Sequence, residues 1–556
     1  MLGLSGAGGV FFLIFPSGMS YDGYIVLKRN FNYWIVLSLL GLSIFFVFLH
    51  ANSFNAPLSR DEGHYAYGAW LMTKGMTPYV DTFEQKPPMI FYPYLLSIMI
   101  SPDEFWPPRL VAAISLILTL ILLGLTIGRE YGGRAGWITV WLALPMIMFP
   151  YLYPFAANTE KFLLLPLIGT LAVYVFYRNE NSGWPWFWAG VCGAIAILYK
   201  PTAILPVFYI FGVWLIEDKK RSLLKFFSAV CGGLAAFFVF SGYFLLRGAL
   251  PVFWEQLVIY NIYYISYFRG YYWLGDNFRF FFPSWTIISL LLIWFLVKFP
   301  SRGWFYLGLM LVAWAAIFKA PYSHYYIMLM PFMAIVAAVA LNSLAVKITE
   351  IIKRPKWCGA VALTLGLLTI LLVIWPVRNY YLMPPADLLV RFASPLNPFV
   401  EAPIVARRVA LLSQPEDRVF IAGSEPEILY YAKRLSPTRF SGGMYGLMME
   451  HPKALEYQRE VVDTLEKHPP KLIVFVRSNF SWLRQEKSPT LILDYTIKLL
   501  REHYEVIGGY VQRDEAAYWE EPLKIENETS CSLLLFRRKD KGTDPAACGE
   551  ESDHFR

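Results

Sequence analysis

Long apolar runs separated by short polar connections dominate residues 31–376. A helix needs about 20 mostly apolar residues to cross a bilayer. Eleven runs meet or approach that length: 31–50, 108–127, 134–150, 160–177, 185–199, 203–217, 226–246, 282–298, 304–319, 325–345 and 357–376. Pro88 to Ile100 is apolar but too short to cross, and reads as a helix lying in the membrane interface. From about Met383 the pattern turns soluble. Val419–Ala422 and Leu472–Val476 read as short buried strands, and Tyr504–Gln512 and Ser532–Arg537 as further strands. Glu425–Lys433, Lys453–Lys467 and Thr490–Glu502 carry helical spacing, so the alternation predicts a small α/β domain.

The expected fold is a polytopic α-helical membrane protein of about eleven spans with a C-terminal extracytoplasmic α/β domain. Its parts are a cytoplasmic segment 1–30, a membrane domain 31–382 with a first outer loop 51–107, the α/β domain 383–537, and a disordered polar tail 538–556. Composition agrees: the 556 residues are 56% hydrophobic and only 16% charged, against about a quarter charged in soluble domains.

The basic residues supply an independent test. With the N-terminus inside, every cytoplasmic connection is basic: Arg129 with Arg134, Arg178, Lys219 to Arg221 with Lys225, Lys298 with Arg302, and Lys347 to Lys356. An odd span count then places everything after Trp375 outside a cell membrane. The net charge of +8 comes from these clusters, so it does not indicate nucleic acid.

At the start, Val10 to Phe15 is too short to span and lacks a basic flank, which makes it a poor signal peptide, and Met19 is a second candidate start. Cys192, Cys231 and Cys358 lie in apolar runs as packing residues, while Cys531 and Cys548 are placed to pair if the C-terminal part is extracytoplasmic.

The chemistry concentrates in the loop Leu58 to Tyr94, which holds Arg60, Asp61, Glu62, His64, Asp81, Glu84 and Lys86. Ionisable groups beside a bilayer are costly to hold, which points to binding or catalysis. Ser59 with Glu62 fits a capping box, so helix capping competes with catalysis as the role of Glu62. Asp61 falls in the same first helical turn, where backbone N–H groups stabilise its anion and suit it to act as a base. Lys86 precedes Pro87-Pro88, a stiff backbone, and is placed either to bind a lipid phosphate, to pair with Glu84, or to reach headgroups as an interfacial lysine.

Asn158-Thr159-Glu160 resembles a cap at the outer start of a span, with Lys161 as a neutralising neighbour. Lys200-Pro201 sits in a tight outer turn, and His324-Tyr325-Tyr326 begins another span. Arg247 to Pro283 is crowded with rings, among them Trp254, Tyr260, Tyr263, Tyr264, Tyr267, Tyr271, Tyr272 and Trp273. Most of these suit interfacial anchoring. There is no Gly-rich phosphate loop in the C-terminal part, and no HExxH or CxxC anywhere.

The loop RDEGHYAYGAWLMTKGMTPYVDTFEQKPPMIFY resembles the membrane-embedded GT-C glycosyltransferases of family 39 type. That group includes protein O-mannosyltransferases, the lipid A aminoarabinose transferase and bacterial relatives. The likeness rests on Asp61-Glu62, Pro78-Tyr79 with Asp81, and Lys86-Pro87-Pro88. It continues in Glu160, Lys200-Pro201, His324-Tyr325, Val419–Gly423 and Ser436 to Phe440. It implies a polyprenyl-phosphate sugar donor, an acceptor hydroxyl and inverting displacement. Asp61 would be the base, Lys86 would bind the donor phosphate, and Glu160 and Glu62 would be further catalytic acids. Tyr65, Asp81, Lys200, His324 and Tyr325 complete the expected binding set. In some relatives an aspartate fills the second outer loop, where Asn158 and Glu160 compete here.

The expected partners are the lipid donor, the bilayer, and a glycan, glycolipid or protein acceptor. No cofactor is required; Asp61, Glu62 and Glu160 are of the type that holds a divalent cation, but no ligand spacing demands one. The rival reading is a transporter or flippase of lipid-linked sugars, which predicts internal repeats and a site near the bilayer midplane. Neither is visible in the sequence.

Overall fold

The computed structural model describes residues 33–217, 222–267, 272–319, 322–393, 397–513 and 516–539. The segment 1–30 with Met19, the basic residues Lys219 to Arg221, Tyr271, Pro321, Cys548 and the tail beyond 539 lie outside them. The chain divides into two units, Met1–Leu49 and His50–Arg556. In the first, the apolar helix begins at Tyr33.

Each expected span falls on a helix, but the helices differ in length. Among the described residues five are long and apolar enough to cross a membrane: Trp106–Tyr131, Thr159–Tyr177, Leu223–Leu246, Ser323–Ile351 and Pro355–Leu382. Trp184–Tyr199, Pro201–Glu217, Trp285–Lys298 and Gly303–Ala315 are shorter apolar helices. Gly133–Ile147 is shorter again than its expected run, because the chain turns at Met148 and Pro150 opens a new 3₁₀ turn. Proline acts likewise at Pro201, where a fixed φ and a missing N–H separate Trp184–Tyr199 from the next helix. Pro88–Ile100 forms the short apolar helix expected of it, with Leu96, Met99 and Ile100 exposed.

After Trp375 a five-stranded mixed sheet forms, with β1 Val419–Ala422, β2 Leu472–Val476, β3 Tyr504–Arg513, β4 Ala516–Glu520 and β5 Cys531–Arg538. The order is β1-β2-β5-β3-β4. β1 and β2 run parallel, Val419 opposite Leu472; every other pair is antiparallel, as in Val474 opposite Leu535 and Val506 opposite Phe536. β1 and β2 are buried along their whole length, as a continuous apolar run requires when both sheet faces are covered. Helices Pro426–Ala432, Ala454–Lys467 and Leu491–His503 match the predicted helical segments within one or two residues. β4 was not predicted. Cys531 is a free, buried thiol that burial pushes up to about 11.

The loop 58–94 is clamped between the helical part and the sheet domain. Helix Arg60–Thr73 carries glycine on two sides. A Cβ at Gly63 would lie 2.5 Å from Glu427 Cβ, and one at Gly68 would lie 2.4 Å from the Phe91 ring. Only glycine permits both approaches. Beyond the helix, Phe83 is fully buried in the core of the sheet domain, stacked on Phe440 at 5.2 Å and edge-on to Tyr260 and Tyr457. The segment after Leu250 straps the loop from the other side. Gln256 Nε2–H donates to the Tyr79 carbonyl, its Oε1 accepts the Glu84 N–H at 2.8 Å, and Asn261 donates to the Gln85 carbonyl. Tyr260 is therefore a core residue that donates to the Tyr445 carbonyl rather than an interfacial anchor; Trp254 stays exposed, as anchoring requires.

Candidate active site

Asp61 sits in the first turn of helix Arg60–Thr73, and Lys86 follows the loop's turn at Tyr79, which takes a left-handed φ of 74°. The two side chains form an ion pair at 3.5 Å. Asp61 keeps 37% of its side-chain surface accessible, whereas Lys86 keeps 14%. Burial raises its carboxyl, but Lys86, then His324, Lys200 and Arg60, outweigh that and hold it below the ordinary aspartate range. Burial also lowers Lys86, and Asp61 and Glu84 more than compensate, keeping it a cation well above the ordinary lysine value. Lys86 lies 4.9 Å over the ring of Tyr65, whose enclosed hydroxyl has no hydrogen-bond partner among the described residues.

A second unit of the same make stands at the start of helix Thr159–Tyr177. Glu160 pairs with Lys200, not with its neighbour Lys161, and His324 Nε2 approaches it to 3.8 Å. Lys200 lies 3.0 Å over the Tyr325 ring, and His324 stacks on Tyr322. The influence of Lys200 and His324 on Asp61 ties the two units into one field. Each unit is a carboxylate, a lysine and a tyrosine face. Such a site offers an anion that accepts a proton and cations that stabilise a departing anion.

Residues 85–244 match the family model described as dolichyl-phosphate-mannose-protein mannosyltransferase. That stretch contains Lys86, Glu160 and Lys200 and begins after Asp61. A protein of Aquifex aeolicus (strain VF5) without an assigned function is 25% identical over 341 residues, 57% of this chain and 76% of its own length. The fold matches ArnT from Cupriavidus metallidurans bound to undecaprenyl phosphate, with a TM-score of 0.61 and 14% identity over 90% of this chain and 97% of that one. It also matches the Archaeoglobus fulgidus oligosaccharyltransferase tethered with an acceptor peptide, with a TM-score of 0.50 and 12% identity over 92% of this chain and 77% of that one. The chain is similar to the GT-C glycosyltransferases of family 39 type.

Two residues of the expected GT-C set are occupied elsewhere. Glu62 is fully buried, and its carboxylate is held by Arg109 Nε and Nη2 at 3.1 and 2.9 Å, by the Ser59 N–H at 3.0 Å and by the Ala157 N–H at 2.8 Å. These bonds tie Glu62 into the packing of the loop against Arg109 and Ala157. Asp81 accepts the Thr77 N–H at 2.7 Å through one carboxylate oxygen and closes the turn in which it lies. Among the described residues no group of three His, Cys, Asp or Glu side chains is placed to hold a metal, and Glu62 is turned away from the other two candidates. Asn158 holds the cap position of its helix, but its Oδ1 is enclosed without a partner.

Sequence reasoning passed over other residues. Arg109, buried at the start of a span, also donates to the carbonyls of Ser53, Ala56 and Pro57 and so shapes the entry to the loop. His64 lies 3.7 Å from Glu84 and 3.1 Å from Thr82 Oγ1, which in turn meets Ser441 Oγ at 2.8 Å; burial holds this imidazole below its ordinary value. Arg60 donates to the Ser424 carbonyl and to Asn397, and lies 3.6 Å from Glu425. Glu425 and Glu427 are buried together: burial raises both carboxyls, and the charge of Glu425 drives Glu427 higher still. The sequence signal for Arg109 is a lone arginine directly after Pro107-Pro108 at the start of an apolar run.

Proposed function

We propose that the chain is an integral-membrane glycosyltransferase that moves a sugar from a polyprenyl-phosphate donor to an acceptor hydroxyl. Transfer would take place at the extracytoplasmic face, onto a cell-envelope glycan, lipid A or lipopolysaccharide, or a protein. The observation that carries the reading is the Asp61–Lys86 pair, in which Asp61 keeps 37% of its side-chain surface accessible while Glu62 and Glu84 of the same loop are buried. The undecaprenyl phosphate bound by ArnT, which shares the fold, supports the donor class.

In the reaction the acceptor oxygen attacks the anomeric carbon as its bond to the phosphate oxygen breaks. The acceptor proton passes to Asp61, the polyprenyl phosphate leaves, and the anomeric centre inverts. Attack and departure are on opposite sides of the ring. With hydrogen bonds of about 2.8 Å at each end, base and phosphate-binding cation must stand much further apart than the resting pair. Lys86 therefore masks Asp61 in the resting state. Donor phosphate draws the lysine's flexible stem away and frees the base for the acceptor. Glu160, fixed by Lys200 and His324, orients the sugar or acceptor, and Tyr65 supports Lys86 through its ring face.

The test is turnover of purified protein with a panel of polyprenyl-phosphate sugars, comparing wild type with Asp61→Asn. The variant should bind donor and lose about 10²–10⁴-fold in kcat. A folded variant that turns over like wild type removes Asp61 as the base.

A further inference from the structure

The sheet domain holds a cavity of about 310 Å³ remote in sequence from the loop that carries Asp61. It lies where β2 ends and β5 begins, against the first residues of helix Ala402–Leu412. Glu401, Arg477, Ser478, Gln512, Ser530 and Ser532 are among the residues that line it. The ladder brings the key pair together, since the Arg477 N–H donates to the Ser532 carbonyl at 3.0 Å.

Four features of this wall point to one kind of ligand. Arg477 donates through Nη1 to the Glu528 carbonyl at 2.7 Å, and among the described residues no carboxylate lies within ion-pair distance of it. A guanidinium has five N–H donors, so most of its capacity is left for an oxyanion. Among the described residues Ser478 Oγ and Ser532 Oγ have no hydrogen-bond partner, and rotation about χ1 can re-aim a serine hydroxyl. Glu401 is buried, and its Oε1 accepts from Gln512 Nε2 at 2.7 Å, so an amide and a carboxyl stand ready together. Burial holds the Glu401 carboxyl above the ordinary glutamate range, against the hydrogen bond from Gln512 that lowers it. Finally, the lining residues include no aromatic ring, and beside Pro398 and the Cys531 thiol they are polar, which argues against a lipid or an apolar peptide side chain. The volume is at the small end for binding pockets, suited to one compact polar unit.

We propose that this cavity binds an acidic sugar residue, one carrying a carboxylate or phosphate, of the acceptor glycan, with Arg477 on the oxyanion and the serine hydroxyls, Gln512 and Glu401 on the ring hydroxyls. The proposal rests on the glycosyltransferase reading for its biological meaning, and narrows the acceptor to an anionic glycan held at a distance from the reacting hydroxyl.

Binding is measured on the purified full chain without lipid donor, using glucuronic acid, glucose 6-phosphate, glucose and inorganic phosphate as probes. At least one charged sugar should bind about tenfold or more tightly than glucose and than inorganic phosphate; which one does names the anion. Arg477→Met should cost that ligand about tenfold or more, the range of a lost charged hydrogen bond. Ser532→Ala, which keeps the guanidinium, should cost about threefold, and covers the case in which the arginine variant fails to fold. Equal binding of glucose, inorganic phosphate binding as tightly as the charged sugar, or folded variants that bind like wild type would each overturn the proposal. Because no donor is present, failure of every polyprenyl-phosphate sugar to turn over would sink the catalytic reading alone.

Discussion

Asp61 and Lys86 show how two adjacent charges divide a task. The pairing keeps a carboxylate ionised in a largely enclosed site, because Lys86 and the neighbouring cations outweigh the burial that would neutralise it. Catalysis at neutral pH should therefore not be limited by protonation of the base, and the acid limb of kcat/KM should lie below the ordinary aspartate value of about 3.9. Lys86→Met removes the nearest of those cations. An acid loses its anionic preference when a cation goes, so the acid limb should move to higher pH while donor saturation weakens. Measuring kcat/KM against pH for both proteins checks this. An unmoved limb would mean that Asp61 is not the titrating group or that Lys86 is not its partner. The sequence made these two residues legible because they are charges in a chain that avoids charge. It could not separate Glu62 from them, since the partner that occupies Glu62 is Arg109, 47 residues away, and pairing at that distance leaves no local pattern.

The helix Arg60–Thr73 owes its position to what it lacks. Its polar first turn and aromatic body are readable as an N-terminal cap followed by a buried run, and all residues from Glu62 to Leu71 are buried. Burial on every side needs close neighbours, which Gly63 and Gly68 admit, and neither contact partner is near in sequence. The two glycines should respond differently to alanine. At Gly63 the added methyl meets the Cα and backbone N of Glu427 at 2.8 Å, which have nowhere to go without moving a helix. At Gly68 it meets the outer edge of the Phe91 ring, which yields by a small rotation. Gly63→Ala should destabilise by roughly 2–3 kcal/mol, since overpacking outweighs the helix preference for alanine of about 1 kcal/mol. Gly68→Ala should fall well below that. Thermal or denaturant unfolding in detergent measures both, and equal effects would count against a rigid seam at Glu427.

At the scale of the whole molecule, the site is built from stretches far apart in the chain and closed by the domain that follows the spans. The strands of that domain were legible because β1 and β2 are short unbroken apolar runs. β4 was not, because AAYWE is neither alternating nor bounded by turn residues on both sides, and it forms only through pairing with β3. The role of the domain was likewise hidden, since nothing in the loop's sequence marks Phe83 as a residue of a distant core. Yet Phe83 is buried in that core three positions before Lys86, and its N–H donates to the Arg439 carbonyl at 2.7 Å. The sheet domain thereby anchors the loop three residues before Lys86, and on the proposed function it would set where that lysine meets the donor. Phe83→Ala should cost about 3–5 kcal/mol as a buried aromatic truncation. Its functional signature should be specific: with folding confirmed, donor KM should rise while Asp61-dependent chemistry on bound donor is less affected, because the truncation loosens the lysine end of the loop and leaves the helix at Asp61 in place. Phe83→Leu, which refills much of the volume, should recover most of the donor affinity. If Phe83→Ala is stable and saturates with donor like wild type, the sheet domain does not position Lys86, and the anchor serves the fold alone.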